Sequence, residues 1–196
     1  MKKSTVSLLV IAGLLVIIIF SSISIYNKLV RYDEATQSAW GQVQNVYKRR
    51  ADLIPNLVAT VKGYAKHESG TLEAVIAARA KATQITVDAS NLTPAKLKEY
   101  QAAQGQLSSA LGKLMMIKES YPDLKANQNF LDLQAQLEGT ENRITEERRK
   151  FNEVVQEYNK AVRSFPASIF AGMFGFQKKA YFEAEASAAN APQIQF

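Results

Sequence analysis

The feature that most constrains this chain is an uncharged stretch of 24 residues, from Ser4 to Asn27, in which most positions are Val, Leu, Ile, Ala or Phe. A hydrocarbon core about 30 Å thick needs about 20 apolar residues in a helix, and residues 6–25 have that length. Because backbone amides inside lipid need internal hydrogen-bond partners, a single such segment must be a helix. The sequence therefore predicts a short basic N-terminus at 1–5 and a transmembrane helix at 6–25.

A cleaved secretory signal is the alternative, because Lys2 and Lys3 precede the apolar run. The run exceeds the roughly 7–15 residues of a usual signal core, and Ser22–Ser24 is a poor cleavage site, so we favour a retained helix. Lysine and arginine flank both ends of the span, as Lys28 and Arg31 follow it, so the positive-inside rule does not fix the orientation. The Met-Lys-Lys start favours an exported bundle.

The residue inventory argues against catalysis and metal binding. The chain has no Cys and one His, His67, so it can supply neither thiolate ligands nor the two Glu-x-x-His units of a di-iron bundle. No glycine-rich phosphate loop occurs. The net charge of +6 is spread among acidic residues, apart from the cluster at 48–50, and forms no basic stripe for nucleic acid. We expect no enzyme activity, no cofactor, no metal and no nucleic-acid partner.

Apolar residues recur every three or four positions over most of the remaining chain, the pattern of helices that share a seam. Proline and glycine at Gly70, Pro94, Pro122 and Pro166 separate these stripes. The pattern predicts four helices, at about 26–67, 71–89, 94–120 and 127–164. Pro55 falls inside the first and should kink it near residues 51–55, because proline removes one ladder hydrogen bond.

The predicted fold is all-α. No break separates Ile25 from Tyr26, so the transmembrane helix should continue directly into a long antiparallel four-helix, coiled-coil-like bundle at 26–164. Four antiparallel helices with short connections follow an up-down path. That path returns Phe165 to the level of the membrane, where the final segment, 165–196, begins.

The segment after the bundle is rich in aromatic residues and contains the pair Lys178-Lys179. Such a segment is typical of an interfacial membrane contact. Two alternatives stay open: an interface between subunits of a homo-oligomer, or a strap packed on the base of the bundle. The residues concerned are Phe165, Phe170, Met173, Phe174, Phe176, Tyr181 and Phe182.

Both long seams contain an arginine where an apolar residue would pack better, at Arg50 and Arg148. If the last bundle helix ends level with the start of the first, Arg50 and Glu141 lie at the same height. One hypothesis is an inward ion pair between them that sets helix register at some loss of stability. The alternative is that both arginines extend to solvent.

Several separate motifs resemble the LemA family. They are YNKLV at 26–30, Trp40, RRADLIPNLVATVKGYAKHE at 49–68, Ala78-Arg79, ESYPDLKANQNFLDLQAQLEGTEN at 119–142, Arg148, Asn152, Tyr158-Asn159, Phe165-Pro166 and Tyr181-Phe182. The resemblance implies a bacterial protein of the inner membrane with one N-terminal membrane helix and a helical bundle. It implies no enzymatic activity and no site residue. A magnetosome-forming relative suggests work in organising membranes.

These observations lead to one functional hypothesis and two alternatives. The first is a membrane-anchored helical scaffold that self-associates and organises envelope proteins or shapes the bilayer. The alternatives are an adaptor or sensor subunit that regulates a membrane partner such as a protease, and a carrier of a lipid or hydrophobic ligand. The expected partners are the bilayer, further copies of the chain, and envelope or membrane proteins.

Overall fold

The structure is a computed structural model that describes residues 3–183, with side chains at position 9 and at 11–183. Lys2, from the expected basic N-terminus, and the tail from residue 184 onward lie outside the described residues. The described chain forms six α-helices and no strand, so the all-α prediction is confirmed. The helices are α1 (Lys3–Tyr64), α2 (Ser69–Gln84), α3 (Pro94–Met116), α4 (Pro122–Lys125), α5 (Gln128–Arg163) and α6 (Ala167–Phe174).

Helix α1 contains both the apolar run and the first helix of the bundle, without a break. Among the described residues it is the one helix long and apolar enough to cross a membrane. The large apolar side chains of this run, from Leu9 to Ile23, are exposed where the structure describes them. Exposed aliphatic side chains at this density are suited to lipid rather than to water.

The bundle is built from two antiparallel helix pairs, α1 with α5 and α2 with α3. Apolar side chains fill it in three clusters from the far end to the base, around Leu57, Trp40 and Leu29. Trp40 of α1 packs on Phe151 of α5 with ring centroids 5.5 Å apart. Arg50, later in α1, meets Glu141, earlier in α5, so the two helices run antiparallel. The stripes of the sequence therefore face inward, as their helical period requires.

Helix α2 ends at Gln84, five residues before the predicted end at 89. The next three residues, at 85–87, are β-branched and favour extended backbone. The Val87 carbonyl accepts hydrogen bonds from the indole of Trp40, at 2.9 Å, and from the amide of Gln44, at 3.1 Å. The β-branched run and these contacts to α1 favour extended backbone over a continued helix, so the predicted end at 89 was wrong.

Helix α1 continues through Pro55, and a second helix supplies the hydrogen bond that proline removes. The missing N–H of Pro55 would have donated to the carbonyl of Ala51, four residues earlier. Instead, Nε of Arg79 on α2 donates to that carbonyl at 2.7 Å. Because Ala51 is buried, the carbonyl needs a partner from the protein. Arg79 therefore supports proline in the helix, whereas the predicted kink stays a prediction.

We expect Arg79→Met to lower the free energy of unfolding by about 1–2 kcal/mol, the usual cost of leaving a buried carbonyl unpaired. In a Pro55→Ala background the same substitution should cost less, because the new alanine N–H can donate to Ala51. Urea unfolding followed by Trp40 fluorescence measures both values. Arg143→Met, on the exposed face of α5, is the matched control and should have little effect. Equal costs of Arg79→Met in the two backgrounds would contradict the assignment.

Candidate functional site

Helix α6 lies at the base of the bundle, beside the end of the predicted transmembrane segment. Its buried residue, Ala171, packs against a cluster that includes Leu29 of α1 and Tyr158 of α5. The ring of Tyr26, the first residue after the predicted span, lies 5.0 Å from the ring of Phe174 and 5.9 Å from that of Phe176. The fold therefore places α6 level with the point where α1 leaves the apolar run.

One side of α6 exposes large apolar side chains. Ile169 and Met173 are spaced by four residues, which places them along one face of α6. Phe165 lies just before the helix. The exposed fractions of Phe165, Ile169 and Met173 are 83%, 55% and 73%, and Phe174 beside them is 51% exposed. We call these four residues the α6 apolar face. Ile169 was not among the sequence-predicted residues, although its four-residue spacing from Met173 could have identified it.

Exposed basic residues surround this base. Lys28 and Arg31 lie on α1, Arg163 ends α5, and Lys178 follows α6. Apolar side chains bordered by lysine and arginine are the composition of elements that lie in the interface of an anionic membrane. Phe170, another predicted contact residue, is half-buried.

The chain turns sharply after α6 and then runs back along α5. Gly175 ends the helix with φ of 78°, a left-handed conformation that glycine adopts without steric cost, and its N–H donates to the Ala171 carbonyl. Residues 176–183, which we call the strap, follow without helix or strand assignment. Phe176 is half-buried against Tyr26, and Tyr181 is 43% exposed.

Two asparagines of α5 hold the strap by its backbone. Asn159 accepts from the N–H of Lys179 and donates to its carbonyl, each at 2.9 Å. Asn152 makes the same pair of bonds with Phe182, at 2.8 and 3.0 Å. Each side-chain amide thus pairs with a backbone amide as a neighbouring β-strand would. Both asparagines belong to the family motifs of the sequence, but those motifs imply no role for them.

The ring of Phe182 is the anchor of the strap. It stacks on Trp40 with centroids 5.8 Å apart and meets Phe151 edge-on at 5.4 Å. The guanidinium of Arg148 lies 5.0 Å above its centre. With an exposed fraction of 5%, Phe182 belongs to the middle core cluster. Phe182 is therefore buried in the bundle, while the α6 apolar face stays exposed and available for membrane or subunit contacts.

The other seam arginine, Arg50, lies in a polar cluster between α1, α3 and α5. Its Nη1 atom lies 2.8 Å from Glu141 Oε2 and donates to Ser108 Oγ at 2.7 Å, while Nη2 donates to Gln104 Oε1 at 2.7 Å. The ring of Tyr47 lies 5.2 Å from the guanidinium carbon. The structure thus brings together Arg50 and Glu141, and it adds two α3 partners that sequence reasoning missed.

Burial also affects ionisable groups next to the strap. The side chain of Lys179 is 8% exposed and lies 2.7 Å from Asp33 Oδ1 on α1. Burial, with a smaller contribution from the Asp33 charge, raises the pKa of Tyr158 to about 12. The neutral phenol donates to the Gln177 carbonyl at 2.9 Å. Within the described residues, no group of three or more His, Cys, Asp or Glu is placed to hold a metal ion.

The chain is similar to one family model and to several known proteins. The sequence model of the LemA family matches residues 39–196. Protein LemA of Metamycoplasma hominis is 28% identical over 158 residues, which are 81% of this chain and 68% of the relative. The magnetosome protein MamQ of Magnetospirillum gryphiswaldense is 33% identical over 97 residues, which are 50% of this chain and 35% of the relative. MamQ 2 of Paramagnetospirillum magneticum is 26% identical, covering 96% of this chain and 75% of the relative.

Proposed function

The chain belongs to the LemA family, and from this premise we propose that it is a non-enzymatic helical scaffold, anchored by α1, that self-associates and organises envelope proteins or shapes the bilayer. The apolar part of α1 and the relatives named as magnetosome proteins fit a membrane-associated protein. The scaffold role depends on what the base of the bundle contacts.

The observation that carries the proposal is the position of the α6 apolar face next to Tyr26. Helix α1 alone would attach the bundle to the membrane at one point. A second apolar element at the same level would rest in the interface beside it. Burying this face in lipid is favourable by about 25 cal/mol for each Å² of apolar surface removed from water. The surrounding lysines and arginines add attraction to anionic headgroups.

Two contacts of different depth give the scaffold a way to act on the bilayer. The α1 span crosses both leaflets, whereas α6 would occupy only the headgroup boundary of one leaflet. Insertion into one leaflet expands it relative to the other, and such elements are sensitive to curvature. Repeated copies would add these local effects over an area of membrane.

The test is to measure the depth of α6 in a bilayer with the full chain. The protein has no cysteine, so Met173→Cys introduces a single site for an environment-sensitive dye. In vesicles that contain lipids brominated near the headgroup, we expect the dye at position 173 to be quenched at least threefold. Met116→Cys is the matched control, because Met116 is similarly exposed at 66% but lies at the far end of the bundle. No quenching is expected there.

Equal and low quenching at both positions would contradict the membrane contact and with it the proposed mode of action. Vesicles without anionic lipid provide a second comparison. Weaker quenching at position 173 in those vesicles is expected, because the basic residues around the base would lose their headgroup partners.

A further inference from the structure

The groove that holds the strap binds it mainly through hydrogen bonds to its backbone, so most side chains of the strap contribute little to recognition. It is formed by α1 and α5, with Trp40 and Phe151 at one end and Asn152, Tyr158 and Asn159 along its length. The last three residues make five hydrogen bonds with the strap backbone, donating three and accepting two. This is the chemistry of a peptide-binding groove, in which main-chain bonds hold the ligand and one side chain anchors it.

Two strap side chains make specific contacts in the groove, while Phe176 and Ala180 pack against the apolar clusters beside it. Phe182 enters the aromatic pocket beside Trp40. Lys179, three residues earlier, reaches Asp33 and the carbonyl of Ala89. The groove therefore fits an extended segment with a lysine followed, three residues later, by a phenylalanine. Every copy of this chain has such a segment.

The strap and α6 form one arm, residues 167–183, attached to the bundle through residues 164–166. That link is short, and the side chain of its central residue, Phe165, is 83% exposed, so its ring does not hold the link against the bundle. The backbone and Ser164 hydroxyl hydrogen bonds of the link are local, since they join residues three or four positions apart. The contacts of the arm with α1 and α5 can form with the chain's own bundle or with that of a neighbour. Exchange of an identical element costs little, and short connections favour it.

Membrane anchoring favours such an exchange. With α1 in the bilayer, all copies have their grooves at the same height and share a thin layer, which raises the effective concentration of neighbouring arms. We propose that the arm of one copy occupies the groove of an adjacent copy, so that the strap links neighbouring copies in the assembly. This inference rests on the self-association in the proposed function. Reciprocal exchange would give dimers, and head-to-tail exchange would give rings or open chains.

The experiment uses two differently tagged full-length copies, produced together in the same membrane. One carries Gln101→Cys and the other Glu183→Cys, because the amide of Gln101 donates to the Glu183 carbonyl at 3.2 Å. A short bifunctional maleimide should join the two tags at least tenfold more than in the control pair. That control combines Glu183→Cys with Lys113→Cys, about three turns further along α3.

Joining of the two tags only at the control level would overturn the proposal, provided that a single chain with both cysteines at 101 and 183 is cross-linked within itself. That result would place every arm on its own bundle. A second variant, Asn152→Ala with Asn159→Ala, should reduce the inter-tag product to the control level while circular dichroism shows retained helix. An unchanged yield in this variant would equally contradict a role of the two asparagines in holding the exchanged arm.

The native mass of the intact protein in detergent distinguishes this inference from the broader function. A large mass that persists when both asparagines are alanine would support self-association and overturn arm exchange. A monomeric mass for the unaltered chain would contradict both. A large mass that falls to that of a monomer in the asparagine variant is the expected result.

Discussion

Replacing Phe182 by alanine is expected to lower the free energy of unfolding by about 3–4 kcal/mol, the range for removing a buried aromatic ring. The ring is 5% exposed and touches Trp40, Phe151 and the guanidinium of Arg148. Its loss leaves a cavity in the middle core cluster, and part of the cost comes from that cavity. The strap would then be held by its backbone bonds to the two asparagines, without its anchor.

Trp40 makes the measurement direct, because it is the single tryptophan of the chain and stacks on Phe182. Urea unfolding of the intact protein in detergent, followed by its fluorescence, gives the change in free energy. The folded variant should also emit at longer wavelength, since water reaches the indole. Phe165→Ala is the matched control: the same substitution in the same segment, at a residue that is 83% exposed. Comparable losses for the two variants would refute the anchor assignment.

Glu141→Ala is expected to cost about 2 kcal/mol, less than the full penalty for breaking a buried pair because Glu141 is itself half in solvent. The side chain of Arg50 is 2% exposed and that of Glu141 is 50% exposed. Removing the carboxylate leaves a buried guanidinium with only neutral partners, Ser108 and Gln104. In an Arg50→Met background no buried charge is left behind, so Glu141→Ala should then cost less than about 0.5 kcal/mol.

The four unfolding free energies of this cycle give the coupling between Arg50 and Glu141. Glu153→Ala is the matched control on the same helix, because Glu153 pairs with Arg149 where both side chains are more than half exposed. Such a surface pair contributes about 0–1 kcal/mol. A coupling near zero for Arg50 and Glu141 would exclude a role for their contact in aligning α1 with α5.

The positions of the four bundle helices could be predicted because each depends on its own apolar pattern, whereas the short helices α4 and α6 were not predicted. The prediction for α2 failed at 85–89, where the β-branched run and the bond from Trp40 to the Val87 carbonyl favour extended backbone. The height match of Arg50 and Glu141 could be predicted by counting residues along two antiparallel helices. Their partners Gln104 and Ser108 could not, because their contact depends on how α3 is rotated and packed against α1.

The hydrogen bonds between the two asparagines and the strap also could not be predicted from the sequence. Asn152 and Asn159 lie two helical turns apart on α5, a spacing that is visible in the sequence. Their hydrogen bonds go to residues 20 and 30 positions later, in a segment with no helix or strand assignment. Local pattern has no means of indicating such a pairing, because either amide would be equally satisfied by water.

The sequence by itself determined the membrane-spanning length of the apolar run, the helical period of the bundle and the return of the chain to its base, because these follow from composition, spacing and helix number. Only the tertiary structure decided how the aromatic segment divides, with Phe182 in the core and Phe165, Ile169 and Met173 on an exposed face. The physical reason is that every large apolar side chain gains free energy by leaving water, so residue type alone does not indicate which ones are buried in the bundle. Phe182 is buried because Trp40 and Phe151 form a pocket and Asn152 holds its backbone there.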